Sequence, residues 1–203
     1  MKIFLYISFL LLPSGLFSQS FKQFKKLSRP EKRWVCFHPF IAKKAFAETR
    51  LVWAVVDSVK QTGIIGSDLN GGKLDAFKHS YWMASLYKKI GRKKALKLGK
   101  AHEKGNYLQF KKHQLEDAIL PDAASSEMDL YNNEAGVNVF GKCRSYDRKE
   151  VQALILAAIE KGEMRIIKKD AAGNYLDCDG KPIDMNVWKG KWNIPKCVIA
   201  SDL

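Results

Sequence analysis

This chain has no apolar run long enough to cross a bilayer, which takes ~20 residues of helix: the run within Met1 to Leu12 is too short, and the stretch from Leu51 to Val59 is interrupted by Asp57. Glycine-rich phosphate loops, the Gly-x-Ser-x-Gly elbow and a cysteine-protease signature are all missing, which disfavours nucleotide-driven and serine-hydrolase chemistry. His102-Glu103 has no second histidine four residues after the first, so it is not a zinc-protease helix. Cys-x-x-Cys spacing is absent and counts against a four-thiolate zinc site. Asp177, Asp179 and Gly180 lack the full ligand pattern of a calcium loop and read as a turn. Acidic residues are scarce, 21 against 35 lysines and arginines, for a formal charge of +14. That balance favours polyanionic neighbours such as nucleic acid, anionic lipid headgroups or wall polymers, and concerns association rather than fold. Because the lysines come mostly in scattered pairs, they read as solvated helix faces. Direct nucleic-acid binding is therefore a subordinate reading.

The 203 residues, 46% of them hydrophobic, suffice for one well-buried core and one main domain. Met1 to Leu12 is a short basic start and an apolar run that breaks at Pro13-Ser14-Gly15, the build of a secretory leader. The expected organisation is a signal peptide over 1–18, a helical domain over 19–162, and a hairpin and tail over 163–203 packed on that domain. The mature chain is expected to be exported, to the periplasm or beyond. Four cysteines in an exported chain predict two disulfides. The short loop between Cys178 and Cys197 favours that pairing, leaving Cys36 with Cys143.

Phe21 to Arg33 is basic and reads as surface chain. Pro39 suits a first helical turn, and a helix can run to about Gln61 with Phe46, Val52, Val55, Val56 and Val59 as its apolar body, closed by Gly63. After a glycine-rich loop, a second helix covers Leu74 to Ile90. There Asp75, His79, Met83, Leu86 and Ile90 share one side. A third spans Arg92 to Glu103, with His102 inward, and Gly105 ends it; Tyr107 to Leu120 makes another, stopped by Pro121. Ser126 to Asp129 has the form of a capping box, after which Asp129, Asn132, Asn133 and Gly136 form one small polar stripe. Asp147 opens a last amphipathic helix that ends at Gly162. Met164 to Lys168 and Tyr175 to Cys178 then flank a turn, as in a hairpin. The fold class is mainly α, a multi-helix single domain with a small C-terminal β-hairpin.

Asp75 and His79, one helical turn apart, are close enough to interact, and a carboxylate there can fix the imidazole tautomer and raise its basicity. If His102 and Asp129 join them, Asp75, His79, His102 and Asp129 can hold Zn²⁺ and leave a position for water, whose pKa would fall to near 7. His79, His102 and Glu103 are then the catalytic candidates, with Glu103 as the base, and Asn132 and Asn133 position substrate. Trp82 reads as core, with a pocket wall as its alternative. His38 and His113 read as surface or capping residues. The competing reading is a satisfied polar network among three helices, with Asp129 as a cap, that specifies packing and catalyses nothing; a ligand-binding cleft without catalysis is the third.

Asp-Ala-Phe-Lys-His-x-Tyr-Trp from Asp75, Ala-His-Glu from Ala101 and Met-Asp-Leu-Tyr-Asn-Asn-x-x-Gly from Met128 together resemble an uncharacterised family of bacterial domains. The resemblance covers about Trp34 to Val139 and carries over only Asp75, His79, Trp82, His102, Glu103, Asp129, Asn132, Asn133 and Gly136. It implies an exported protein or a terminal module of large surface or toxin-like proteins, and it brings no reaction. The leading expectation is a hydrolase-like, zinc-dependent site for an anionic phosphodiester or phospholipid substrate. The alternative is a noncatalytic surface module that binds an anionic partner.

Overall fold

A computed structural model describes residues 24–112, 120–143, 145 and 147–203. The leader, His113 and the 113–119 stretch of the helix expected over Tyr107 to Leu120 lie outside the described residues. Ser28 opens the first helix, α1 (Arg29–Phe37). Its N–H donates to Glu31 Oε2 at 2.8 Å and its Oγ accepts from the Glu31 N–H at 3.4 Å, satisfying donors that a helix start leaves over. The basic segment expected as surface chain is thus helical at 24–26 and again from Arg29, with Trp34 buried. Pro39 begins α2 (Pro39–Thr62), which ends at Gly63. Val52, Val56 and Val59 point into the core, whereas Phe46, expected among them, is exposed.

The central element is α3 (Lys73–Ile90), which packs against α2, α4 (Arg92–Phe110), α5 (Ala123–Phe140) and α6 (Arg148–Glu160). A helix enclosed on every side has little use for a polar face, and Leu74, Ala76, Phe77, Tyr81, Met83, Ala84 and Leu86 are all fully buried. Two apolar clusters flank it. One joins α2, α3 and α6 through Val56, Phe77, Tyr81, Ile155 and Ile159; the other joins α1, α3, α4 and α5 through Trp34, Met83, Leu86, Leu98 and Val137.

Two helix boundaries differ from expectation for physical reasons. Gly105 does not end the third helix, since α4 runs on to Phe110; a Cβ at Gly105 would come within 2.5 Å of Ser28 Oγ, so the glycine makes room for the start of α1. The capping box expected at Ser126 does not form either. Asp122 caps α5 instead, accepting from the Ser125 N–H at 3.0 Å, which places Asp129 inside the helix and not at its cap. Asp147 caps α6 as expected.

The sheet is antiparallel and two-stranded: β1 (Arg165–Ile167) with β2 (Val198–Ala200), in the register Arg165 to Ala200 and Ile167 to Val198. The expected partner of β1 was Tyr175 to Cys178. That segment makes only isolated bridges, Lys169 with Tyr175 and Leu176 with Pro182. Asp170 builds the turn, its carboxylate accepting from the Ala172 and Asn174 N–H groups. A disulfide from Cys178 to Cys197 then brings the tail beside β1. The other expected bridge is absent: Cys36 is exposed on α1 and Cys143 is buried after α5, so the two thiols do not meet. No helix among the described residues is long and apolar enough to cross a membrane.

Closing a loop over a sequence separation of 19 removes unfolded-state entropy equivalent to about 3 kcal/mol in the chain-entropy treatment. Cys178→Ser with Cys197→Ser is expected to lower stability by about that amount, read from urea unfolding. A loss below about 1 kcal/mol would mean that the tail holds its place without the bridge.

Candidate functional site

At the start of α3 the chain folds so that the loop before it wraps its first acid. The Gly71 N–H donates to Asp75 Oδ2 at 2.8 Å, and the Asp75 N–H donates to the Asp68 carbonyl at 3.2 Å. Lys169, on the C-terminal segment, fastens this loop from outside by pairing with Asp68 and donating to the Asn70 carbonyl at 2.9 Å. One turn along α3, His79 aims Nε2 between two carboxylates, 3.6 Å from Asp75 Oδ1 and 3.2 Å from Asp129 Oδ1 on α5. All three residues are buried and each offers a ligand atom within 4.8 Å of the others. A cleft with room for about 50 Å³ of water lies over them, and Lys78, Ser125, Pro121 and Tyr175 also line it. That is enough for a few water-sized occupants, given that one needs roughly 10–15 Å³.

The protonation state of the imidazole is the one that a metal ligand needs. Burial drives the His79 imidazole well below its ordinary range, helped by the positive charges of Lys78 and His102 and opposed by the Asn133 side chain. It is therefore neutral near pH 7, as a metal ligand must be. Lys78 Nζ stands 2.8 Å from Asp75 Oδ1 at the side of the cleft. Burial, with the charges of Asp68, Asp122 and Asp75, pushes the Tyr175 phenol up to about 12, so it keeps its proton and can donate a hydrogen bond.

The other candidates from the sequence lie around this group rather than within it. His102 Nδ1 meets Glu31 Oε1 at 3.1 Å, its ring 6.3 Å from that of His79. Burial raises the Glu31 carboxyl, but its hydrogen bond and charge interaction with His102 and its bonds to Ser28 outweigh this and hold it below the ordinary value. Glu103 is buried and accepts from Asn106 at 3.2 Å. Asn132 Nδ2 donates to the Arg165 carbonyl and its Oδ1 accepts from the Arg165 N–H, at 2.9 and 2.8 Å, which fastens β1 to α5. Asn133, also on α5, faces His79 of α3. Trp82 donates to Thr49 Oγ1 at 2.9 Å and lies edge-on to His102. His38 is half-buried, with Nδ1 2.8 Å from the Trp34 carbonyl at the end of α1.

Gly136 explains how α3 and α5 come near enough for the group to form. A Cβ there would overlap the Ser80 backbone, within 2.5 Å of its Cα; the helices therefore cross at backbone contact, one residue beyond His79. Sequence reasoning did not select Lys78 or Tyr175. Lys78 looked like one more solvated lysine, and Tyr175 arrives through a turn for which no helical spacing gives notice.

Comparison with known families fits the motif reading: the model of a family described as a domain of unknown function, DUF6973, matches residues 32–163, and the chain belongs to that family. Neither a curated protein nor a solved structure matches it.

Proposed function

For this family member we propose an exported, hydrolase-like protein whose centre is a divalent cation, zinc in the first instance, held by Asp75, His79 and Asp129 and acting on an anionic phosphodiester or phospholipid. The observation that carries the reading is the spacing of the donors. A four-coordinate ion with ligands at about 2.1 Å has ligand-to-ligand edges of about 3.4 Å, and the two separations from His79 Nε2, 3.2 and 3.6 Å, bracket that value. Two carboxylates and a neutral imidazole form a donor set that zinc and harder divalent ions accept. A bound ion would supply a fourth position at which water loses a proton near neutral pH.

The chain's own groups then have definite tasks. Lys78 can turn from Asp75 toward a phosphoryl oxygen at the mouth of the cleft, and Tyr175 can donate to an oxygen on which charge develops. A cleft this small admits a reacting group and not a whole ligand, which favours an extended or membrane-borne substrate over an enclosed metabolite. His102 and Glu103, expected to act directly, are given a supporting role here: His102 ties α4 to α1, and Glu103 stays inside α4. The leader-like start of the sequence supports export.

The alternative is a noncatalytic module whose polar residues are architectural. It draws on Asn132, which spends both its donor and its acceptor on β1. Elemental analysis of purified protein separates the two. The first reading expects close to one divalent ion per chain, lost in His79→Ala and in Asp129→Asn while circular dichroism stays unchanged. Metal-free protein that is folded and remains metal-free after incubation with zinc would sink it.

A further inference from the structure

We infer that the outward face of α1 and the first half of α2 is a docking surface for an anionic phospholipid bilayer. The elbow between these helices pushes two phenylalanines into solvent, Phe37 at 70% exposure and Phe40 at 90%. Single exposed apolar side chains are ordinary, but large ones grouped at one place on a surface mark a contact with something else, and these two stand three residues apart at one corner. The elbow is also firm: His38 Nδ1 is 2.8 Å from the Trp34 carbonyl, its ring stacked on Trp34 at 4.7 Å, and Trp34 is buried. The phenylalanines are therefore presented by a fixed corner, not a loose tip.

The same side of α2 continues the pattern. Lys43, Lys44, Arg50, Leu51 and Trp53 are exposed, with Arg33 of α1 placed over the Phe37 ring at 5.8 Å. From Lys32 to Val56 the sequence holds a single acid, Glu48, and it faces inward, 3% exposed and bonded to Arg148 at 2.6 and 3.0 Å. The outward face from Arg33 to Trp53 is thus rich in cations and aromatics, and the acid that follows on that side, Asp57, lies one turn beyond Trp53. Phenylalanine and tryptophan enter the headgroup and acyl boundary while lysine and arginine meet anionic headgroups, which is how a helix lies on a membrane without spanning it. Neutral apolar partners would have no use for the cations, and a purely electrostatic partner none for Phe40. Trp53 also lies 5.9 Å from Lys78 Nζ, so the surface adjoins the cleft, although docking does not depend on metal or catalysis.

The test is co-sedimentation of the purified mature chain, residues 19–203, with vesicles of phosphatidylcholine alone and with about one-third phosphatidylglycerol, compared with Phe37→Ser/Phe40→Ser and Lys43→Glu/Lys44→Glu. Binding is expected to need the anionic lipid and to weaken at least about tenfold in each double variant, with unchanged thermal midpoints, since the substituted side chains are exposed. Absent binding to anionic vesicles, or binding indifferent to the phenylalanines, would overturn the proposal. So would binding of single-stranded RNA but not vesicles, or a dimer in sedimentation that Phe37→Ser/Phe40→Ser dissociates. Hydrolysis is not part of the readout, so failure here and failure of the metal reading remain separate.

Discussion

Gly136→Ala is expected to destabilise the chain by on the order of 3 kcal/mol, at the upper end of overpacking penalties, and to deprive whatever folded fraction remains of the divalent ion proposed above. The new methyl group would have to occupy the Ser80 backbone, within 2.5 Å of its Cα. A flexible side chain could move aside; the backbone of a helix packed on every side cannot. α3 and α5 must then separate, and they carry His79 and Asp129 respectively. Metal sites tolerate only about 0.2 Å in ligand distance, so separation by even half an ångström breaks the group before it unfolds the domain. Urea unfolding and elemental analysis of the folded variant are the measurements. Stability within about 1 kcal/mol of the parent, with metal retained, would show that the crossing has slack that this geometry denies it.

This crossing also shows what the sequence can and cannot reveal. Asp75 and His79 were readable as a pair because one helical turn separates them, and Asp129, Asn132, Asn133 and Gly136 were readable as a stripe because they repeat with the helix. Helix ends were legible where punctuation is local: Pro39 and Gly63 bound α2, and Asp147 starts α6. Gly105 was misread because its smallness serves Ser28, 77 positions earlier, and the sequence there holds no turn signal beyond the glycine itself. Distant pairings obey no period. Glu31 reaches His102 across 71 residues and Asn132 reaches Arg165 across 33, so the tasks of two motif residues, His102 and Asn132, became visible only in the fold. Cysteine parity misled for a related reason, because an even count does not oblige a surface thiol and a buried one to meet. The expected hairpin had the right turn and the wrong ladder, since the strand that pairs with β1 comes from beyond the disulfide.

Lys196→Met is expected to cost about 3–5 kcal/mol, the usual consequence of leaving a buried charge without its partner. Lys196 Nζ lies 2.6 Å from Asp122 Oδ2, and each side chain is only 1% exposed. The lysine also stands 3.7 Å from the centre of the Tyr175 ring, so one ammonium ties the tail to the start of α5 and to a wall of the cleft. Without it Asp122 keeps its bonds from the Ser125 N–H and Oγ but remains an uncompensated anion in a dry place. Adding Asp122→Asn removes that anion while keeping a competent helix cap, and Lys196→Met/Asp122→Asn should recover to within about 1.5 kcal/mol of the parent. The coupling energy from the four-member cycle, measured by urea unfolding, decides whether the pair is dry. If Lys196→Met alone costs under about 1 kcal/mol, the range of solvated surface pairs, water reaches Asp122 and the tail does not seal the side of the cleft that Tyr175 lines.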